Sequence, residues 1–102
     1  MDEKNHHFLN EETVEDVATK FKALADPTRV KILYLLTQEE CSVGHIAEVL
    51  QMTQSAVSHQ LSYLKQLRLV KSRRVGQSFI YRYDDEHVIE ILKQMIRHSL
   101  HD

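Results

Sequence analysis

Four residues near the C-terminus have side chains and a spacing that could bind a metal ion: Asp85, His87, His98 and His101. They follow the pattern D-x-H, ten further residues, then H-x-x-H, on one predicted helix from about Asp85 to Leu100. At about 1.5 Å and 100° per residue, His87 and His98 share a face of that helix but lie about 16 Å apart. Zinc–nitrogen bonds are about 2.0–2.1 Å long, so these two imidazoles cannot share an ion within one helix.

A second copy of the helix, packed antiparallel, would solve this geometric problem. It would bring Asp85 and His87 of one chain against His98 and His101 of the other, and a two-fold axis would repeat the contact. The spacing therefore predicts a homodimer with two equivalent sites, each with three imidazoles and one carboxylate. These donors suit tetrahedral Zn(II), and Co(II) takes the same geometry, while Ni(II) is a weaker candidate. The alternative is an incidental spacing, because a histidine at a helix end also complements the helix dipole.

The composition predicts a single small cytoplasmic domain. The chain has 102 residues, 42% of them hydrophobic, which supports one core that would gain from burying more surface in a dimer. No stretch approaches the ~20 apolar residues of a membrane span, and residues 1–5 lack the basic start and apolar core of a signal peptide. The single cysteine, Cys41, excludes an intramolecular disulfide and fits a reducing cytoplasm.

The charge distribution predicts a nucleic-acid partner, although the formal net charge is −2. Between Val49 and Tyr83 there is no Asp or Glu, and this stretch carries a set of basic residues: Lys65, Arg68, Lys71, Arg73, Arg74 and Arg82. A basic central third in a mildly acidic chain is typical of a surface that faces phosphates.

Capping residues and apolar spacing predict about five helices and one hairpin. Candidate N-caps precede the first four helices: Asn10, Asp26, Ser42 and Thr53. The predicted helices are 11–24, Pro27 to about Leu36, a short helix after Ser42, about 54–67 following a tight turn at Gln51–Met52, and the C-terminal helix. Two strand-like runs, Leu69 to Val75 and Ser78 to Tyr83, join across Gly76–Gln77 as a β-hairpin with basic residues at its tip.

The order of these elements predicts a mainly α (α+β) fold, a winged helix-turn-helix with a two-stranded wing. We expect one domain over residues 1–102, with dimerisation helices at the N- and C-terminal ends. The final helix has an apolar arc wider than one core-facing stripe, so one side would meet its own domain and the other a partner helix.

The fourth helix would be the recognition helix, because it buries Val57, Leu61 and Leu64 and presents short polar side chains on its other face. We predict that it contacts base edges or phosphates in the major groove, while the wing arginines contact phosphates or an adjacent minor groove. The predicted DNA-binding residues are Gln54, Ser55, Ser58, His59, Lys65, Arg73, Arg74 and Gln77. The alternative is a helical hairpin whose polar face is coincidental.

Three runs of sequence resemble the ArsR/SmtB family of metal-responsive repressors: FKALADPTRVKILYLL, SVGHIAEVL and TQSAVSHQLSYLKQLRLVKSRRVGQSFIYRY. The resemblance extends from about Val14 to His101. Its most specific elements are S-x-x-S-H, ending at His59, and the wing pattern R-x-G-Q-x-x-x-Y, starting at Arg74. The C-terminal D-x-H and H-x-x-H resemble the sensor site of the family's zinc and cobalt sensors, the CzrA-like group. This implies a homodimer that binds operator DNA metal-free, releases it when metal binds, and controls metal efflux or sequestration genes.

The chain departs from the family's thiolate sensors, which carry C-x-C where this chain has Ser42 and Gly44. One thiol cannot build the soft sulfur cage that arsenic, lead or cadmium favours, so we interpret Cys41 as inert. His6 and His7 could add ligands, as in nickel and cobalt sensors that this family includes, or could be incidental. For His45 and His59 we favour structural or DNA-contact roles.

Other functions remain as alternatives. A repressor of the same fold could respond to a non-metal signal or to none, and a zinc ion at the four residues could be purely structural. A zinc hydrolase is disfavoured because the chain lacks H-E-x-x-H and has no Glu placed as a general base. We therefore predict that the protein is not an enzyme.

Overall fold

The computed structural model describes residues 6–101. In chain order its elements are α1 (Glu11–Leu24), α2 (Pro27–Leu36), β1 (Cys41–Ser42), α3 (Val43–Leu50), α4 (Gln54–Gln66), β2 (Val70–Val75), β3 (Ser78–Tyr83) and α5 (Glu86–Leu100). The predicted fold class, mainly α with five helices and a hairpin wing, is confirmed. Residues 1–5 and residue 102 lie outside the described residues. The expectation that residues 1–5 do not begin a signal peptide therefore stays a prediction. The assignment of one domain to residues 1–102 stays a prediction.

The first four helices begin at the predicted capping residues. The side chain of each cap accepts a hydrogen bond from the backbone N–H three residues further on, which satisfies a donor that the first helical turn leaves unpaired. The donor–acceptor distances are 2.8 Å at Asn10 and 3.1 Å at Asp26, Ser42 and Thr53. Local sequence therefore sets where these helices start.

The wing belongs to a three-stranded antiparallel sheet in the order β1-β3-β2. The hairpin is confirmed: Val70 pairs with Tyr83, and Val75 pairs with Ser78 beside the turn. The short strand β1 was not predicted; there Cys41 pairs with Tyr81 and joins the wing to the start of α3. A strand of two residues is too short to show an alternating pattern, so the sequence does not indicate it. It forms by pairing with the hairpin strand β3.

The core lies between α2, α3 and α4, where Ile32, Leu33, Ile46, Leu61 and Leu64 have no solvent exposure. The predicted inward stripe of α4, including Val57, is confirmed. This stripe fixes the rotation of α4 about its axis, so the short polar side chains on the opposite face point outward.

Arg29 ties the recognition helix to the helices before it. Its Nε donates to the carbonyl oxygen of Ala23 at 2.9 Å, and Nη1 donates to Gln60 Oε1 at 3.3 Å. The guanidinium carbon lies 4.5 Å from the centre of the Tyr63 ring, a cation–π distance. One side chain of α2 therefore contacts the end of α1 and the middle of α4.

The apolar side of the two terminal helices is only partly covered. In α5, Val88, Ile89 and Leu92 are buried against the domain, but Met95 remains 60% exposed. In α1 the only buried residue is Ala23. α5 therefore packs against its own domain on one side, and the contact of its other side with a partner helix stays a prediction. Among residues 6–101, no helix has both the length and the apolar character needed to cross a membrane.

Leu61→Ala should lower the free energy of unfolding by about 2–5 kcal/mol, because it opens a cavity beneath the recognition helix. Ser62→Ala, at the next and exposed position, is the control and should change it by less than about 0.5 kcal/mol. Urea unfolding followed by circular dichroism, at one fixed protein concentration, measures both. Equal effects would show that α4 is not held by this stripe.

Candidate DNA-binding surface and metal ligands

A tight turn sets the angle between α3 and α4. Gln51 adopts the left-handed conformation at φ 56°, and the Met52 N–H donates to the Ala47 carbonyl oxygen at 2.9 Å. Thr53 then caps α4. Two helices joined by so short a turn form the helix-turn-helix, with α4 in the position of the recognition helix.

Three of the predicted DNA-binding residues line one polar groove between α3, α4 and the wing. Gln54 and Ser58 come from α4, and Gln77 comes from the hairpin turn, around a space of about 450 Å³. Gly44 of α3 borders the same groove, and a Cβ atom there would lie 3.5 Å from Gln54 Nε2. The fold thus places side chains from two separate elements on one surface that could follow a nucleic-acid backbone.

The remaining predicted α4 residues are exposed but lie outside that groove. Ser55 and His59 are on the outward face of the helix. Lys65 Nζ donates to Ser72 Oγ of β2 at 3.0 Å, which connects the end of α4 to the wing. Ser55 and His59 therefore extend the polar surface along α4, whereas Lys65 also has a structural contact.

The two wing arginines have different surroundings, because neighbouring residues of a strand point to opposite faces. Arg73 forms an ion pair with Glu40, and its hydrogen bond lowers the pKa of that carboxyl. Arg74 Nε donates to the Gly76 carbonyl oxygen at 3.0 Å, and its guanidinium carbon lies 5.8 Å from the centre of the Phe79 ring. Arg74 is thus held at the tip of the wing, while Arg73 is engaged by a carboxylate.

The predicted metal ligands lie at the two ends of α5. Asp85 is the N-cap, and its Oδ1 accepts hydrogen bonds from the backbone N–H groups of His87 at 2.9 Å and Val88 at 3.1 Å. The His87 side chain is fully exposed, with Nδ1 3.9 Å from Asp85 Oδ1. At the other end His101 is the C-cap, and its N–H donates to the His98 carbonyl oxygen at 3.3 Å.

Within one chain the structure brings Asp85 beside His87, and His98 beside His101, but it does not join the two pairs. The intervening length of helix separates them, as the spacing requires. The helix predicted from about Asp85 to Leu100 is confirmed as Glu86–Leu100, with Asp85 as its N-cap. His6 and His7 are exposed and precede α1, outside any helix.

One cluster of possible ligands was not predicted from the sequence. Glu39, Cys41 and His45 each offer a donor atom, and these atoms all lie within 4.8 Å of one another. Burial, and secondarily the charge of Glu39, raises the pKa of the Cys41 thiol to about 11. The thiol is therefore neutral near pH 7, and the interpretation of Cys41 as inert stays a prediction. The three residues lie in a loop, a strand and a helix, so the periodicity of any one element cannot indicate the cluster.

A winged helix-turn-helix with a basic wing and a polar recognition helix is a DNA-binding fold. Residues 26–72 match the family described as bacterial regulatory protein, arsR family. The chain is 42% identical over 93 residues to the HTH-type transcriptional regulator NmtR of Mycobacterium tuberculosis, covering 91% of this chain and 78% of that protein. The chain belongs to the arsR family of transcriptional regulators.

Two further relatives are named a transcriptional repressor and a cadmium resistance transcriptional regulatory protein. The transcriptional repressor SmtB homolog of Synechocystis is 39% identical, over 82% of this chain and 64% of its own length. The cadmium resistance regulatory protein CadC homolog of Staphylococcus aureus is 41% identical, over 82% of this chain and 70% of its own length. These relatives are named regulators rather than enzymes, and the prediction that the chain is not an enzyme is confirmed.

Solved structures agree with the fold. The homodimeric winged helix-turn-helix domain of Mb0332 from Mycobacterium bovis superposes with a TM-score of 0.82 at 32% identity, covering 93% of this chain and 88% of that one. The solution structure of apo-NmtR gives a TM-score of 0.79 at 40% identity, covering 95% of this chain and 82% of that one.

Arg74→Ala should weaken binding to DNA duplexes of any sequence, because a phosphate contact carries no base information. The slope of log K against log salt should fall by about 1 per chain. Arg73→Ala should have a smaller effect, since Arg73 first has to leave Glu40. Fluorescence anisotropy over a salt series measures these slopes.

Lys31→Ala, which removes an exposed cation of α2, is the matched control and should leave the slope unchanged. A loss for Arg74→Ala that is confined to one DNA sequence, with an unchanged slope, would contradict a phosphate contact at the wing tip.

Proposed function

We propose that this protein is a cytoplasmic metal-sensing repressor that binds operator DNA as a metal-free homodimer. Zn(II), or Co(II), would bind at sites between the subunits, release the DNA and derepress metal efflux or resistance genes. The observation that carries the proposal is the arrangement of α5: candidate ligands at both ends of one helix, beside an apolar side that its own domain leaves uncovered.

The apolar groove along α5 supports the homodimer. It has a volume of about 450 Å³ and lies between α1, α2 and α5, with lining residues that include Phe21, Val30, Met95 and Leu100. Phe21 is 52% exposed and Leu100 is 78% exposed in the single chain. An apolar patch of this kind marks an interaction surface, and the similar structure of Mb0332 is described as homodimeric.

The donor chemistry fits a zinc-type ion. Both backbone hydrogen bonds to Asp85 use Oδ1, so the cap orients the carboxylate and leaves Oδ2 as the oxygen for a metal. An antiparallel partner helix would add His98 and His101 to Asp85 and His87. Four protein ligands would complete a tetrahedral shell without a reactive water, which suits a sensor rather than a catalyst. Because metal binds neutral imidazoles, protons compete, and affinity should fall as the solution is acidified.

Shared ligands would make the ion sensitive to how the two subunits are arranged. Each chain would supply one end of α5 to each site, so a closed shell would fix the distance and angle between the two helices. The spacing of the two α4 helices on DNA would depend on the same arrangement. If the two bound states need different arrangements, zinc weakens operator binding and operator weakens zinc binding by the same factor.

His98→Ala should abolish the effect of zinc on DNA binding while leaving metal-free binding intact, because His98 lies outside the DNA-binding surface. For the unchanged protein, saturating Zn(II) should weaken binding about 10- to 100-fold. The probe is a duplex selected from random-sequence DNA by the metal-free protein, and anisotropy is measured with and without Zn(II).

His7→Ala is the matched control and should respond to zinc like the unchanged protein. A zinc response that survives His98→Ala would contradict the proposed sensor site. Loss of the response in His7→Ala would favour the nickel- and cobalt-type site with N-terminal ligands.

Met95→Glu should convert the dimer to a folded monomer, because it places a charge in the apolar groove of α5. Gln66→Glu adds the same charge on α4 and should stay dimeric. Sedimentation equilibrium gives the mass, and circular dichroism checks the helix content. A dimer that persists in Met95→Glu would place the interface elsewhere.

A further inference from the structure

The cluster of Glu39, Cys41 and His45 lies where the wing joins the helix-turn-helix, away from the ligands on α5. Glu39 follows the turn after α2, Cys41 is the first residue of β1, and His45 lies in the first turn of α3. A carboxylate oxygen, a thiol sulfur and an imidazole nitrogen all lie within 4.8 Å of one another. All three belong to one chain, so this cluster needs no partner subunit.

The distances are close to those of one coordination shell. Zinc–nitrogen bonds are about 2.0 Å and zinc–sulfur bonds about 2.3 Å long, so two donors of a tetrahedral shell are about 3.3–3.6 Å apart. His45 Nε2 and Glu39 Oε2 are already 3.3 Å apart. The remaining separations are at most 4.8 Å, so they need to shorten by at most about 1.3 Å. The side chains that would move are the accessible ones, Glu39 at 52% exposure and His45 at 41%.

We propose that Glu39, Cys41 and His45 form a second, intrachain binding site for a zinc-type divalent cation at the base of the wing. Water or a small ligand would complete the four-coordinate shell. Sulfur, nitrogen and oxygen donors together favour Zn(II) or Co(II) over Mg(II) or Ca(II), which take oxygen alone. Glu48 also faces the imidazole, with Oε1 3.8 Å from His45 Nδ1, and would hold the ring by its other nitrogen.

Binding at this site requires the Cys41 thiol to lose its proton. The Cys41 sulfur forms the bond to the cation, the S–H bond breaks, and the proton passes to solvent. Burial and the Glu39 charge hold the pKa of that thiol at about 11. Cation binding therefore releases one proton from the thiol.

An ion here would act on the wing through β1. Cys41 pairs with Tyr81 and Ser42 pairs with Ile80 of β3, and the neighbouring Glu40 holds Arg73 of β2. Bonds from one cation to Cys41, His45 and Glu39 would brace β1 against α3 and so restrain the wing relative to the recognition helix.

The test uses the full chain with His87→Ala and His98→Ala, which removes the proposed α5 site, and titrates it with Co(II) under reducing conditions. We expect about one Co(II) per chain and a sulfur-to-cobalt charge-transfer band in the near ultraviolet, which a site of nitrogen and oxygen cannot give. Cys41→Ser in this background should abolish the band.

Cys41 is only 2% exposed, so His45→Gln, at a half-exposed position, provides an independent variant. It should weaken Co(II) binding at least about tenfold, while His59→Gln, an exposed histidine of α4, should not. Absence of the band, or a band that is unchanged in His45→Gln, would overturn the proposal. Because His87 and His98 of the proposed α5 site are already replaced, and the remaining α5 ligands offer no sulfur, neither result depends on the proposed sensor.

Discussion

The uncovered side of α5 is the constraint on which this account depends. A helix is a rigid rod at this length, so residues at its two ends cannot meet within one chain. The same helix buries Val88, Ile89 and Leu92 against its own domain and leaves Met95 in solvent. Exposing this apolar side to water is unfavourable, and covering it with a second helix would be favourable. If an antiparallel copy of α5 covers this apolar side, as we propose, the same packing would complete the metal shell.

Packed side chains connect the N-terminal helix to the recognition helix of the DNA-binding surface. Arg29 links α2 to the end of α1 and to α4 through Ala23, Gln60 and Tyr63. The inward stripe of α4 fixes which face points outward. A movement of the terminal helices would thus reach the recognition helix through packed groups rather than through a flexible linker. The wing is connected separately, through β1 and the Glu40–Arg73 ion pair.

Features that depend on neighbours along the chain could be predicted from the sequence. The N-caps at Asn10 and Thr53 and the inward stripe of α4 each follow from a few adjacent residues. The wing hairpin also follows from its turn at Gly76, which adopts φ 64°. In these cases local chemistry and the final fold agree.

Features that depend on residues distant in sequence could not be predicted. Strand β1 forms because β3 lies beside it. The Arg73–Glu40 ion pair joins residues 33 positions apart, so the sequence around Arg73 indicates only a phosphate contact. The Glu39–Cys41–His45 cluster forms where three kinds of local structure meet. Periodicity describes one element at a time, so it cannot indicate a site that several elements build.

A mixed dimer tests the central claim, that each metal site takes ligands from both chains. One variant carries Asp85→Ala and His87→Ala, and the other carries His98→Ala and His101→Ala. Each homodimer would have only incomplete sites, whereas the heterodimer would regain one complete site from the intact halves. Zinc titration of the purified heterodimer should show one tightly bound ion per dimer that neither homodimer binds. A heterodimer that binds zinc no better than the two homodimers would contradict the account.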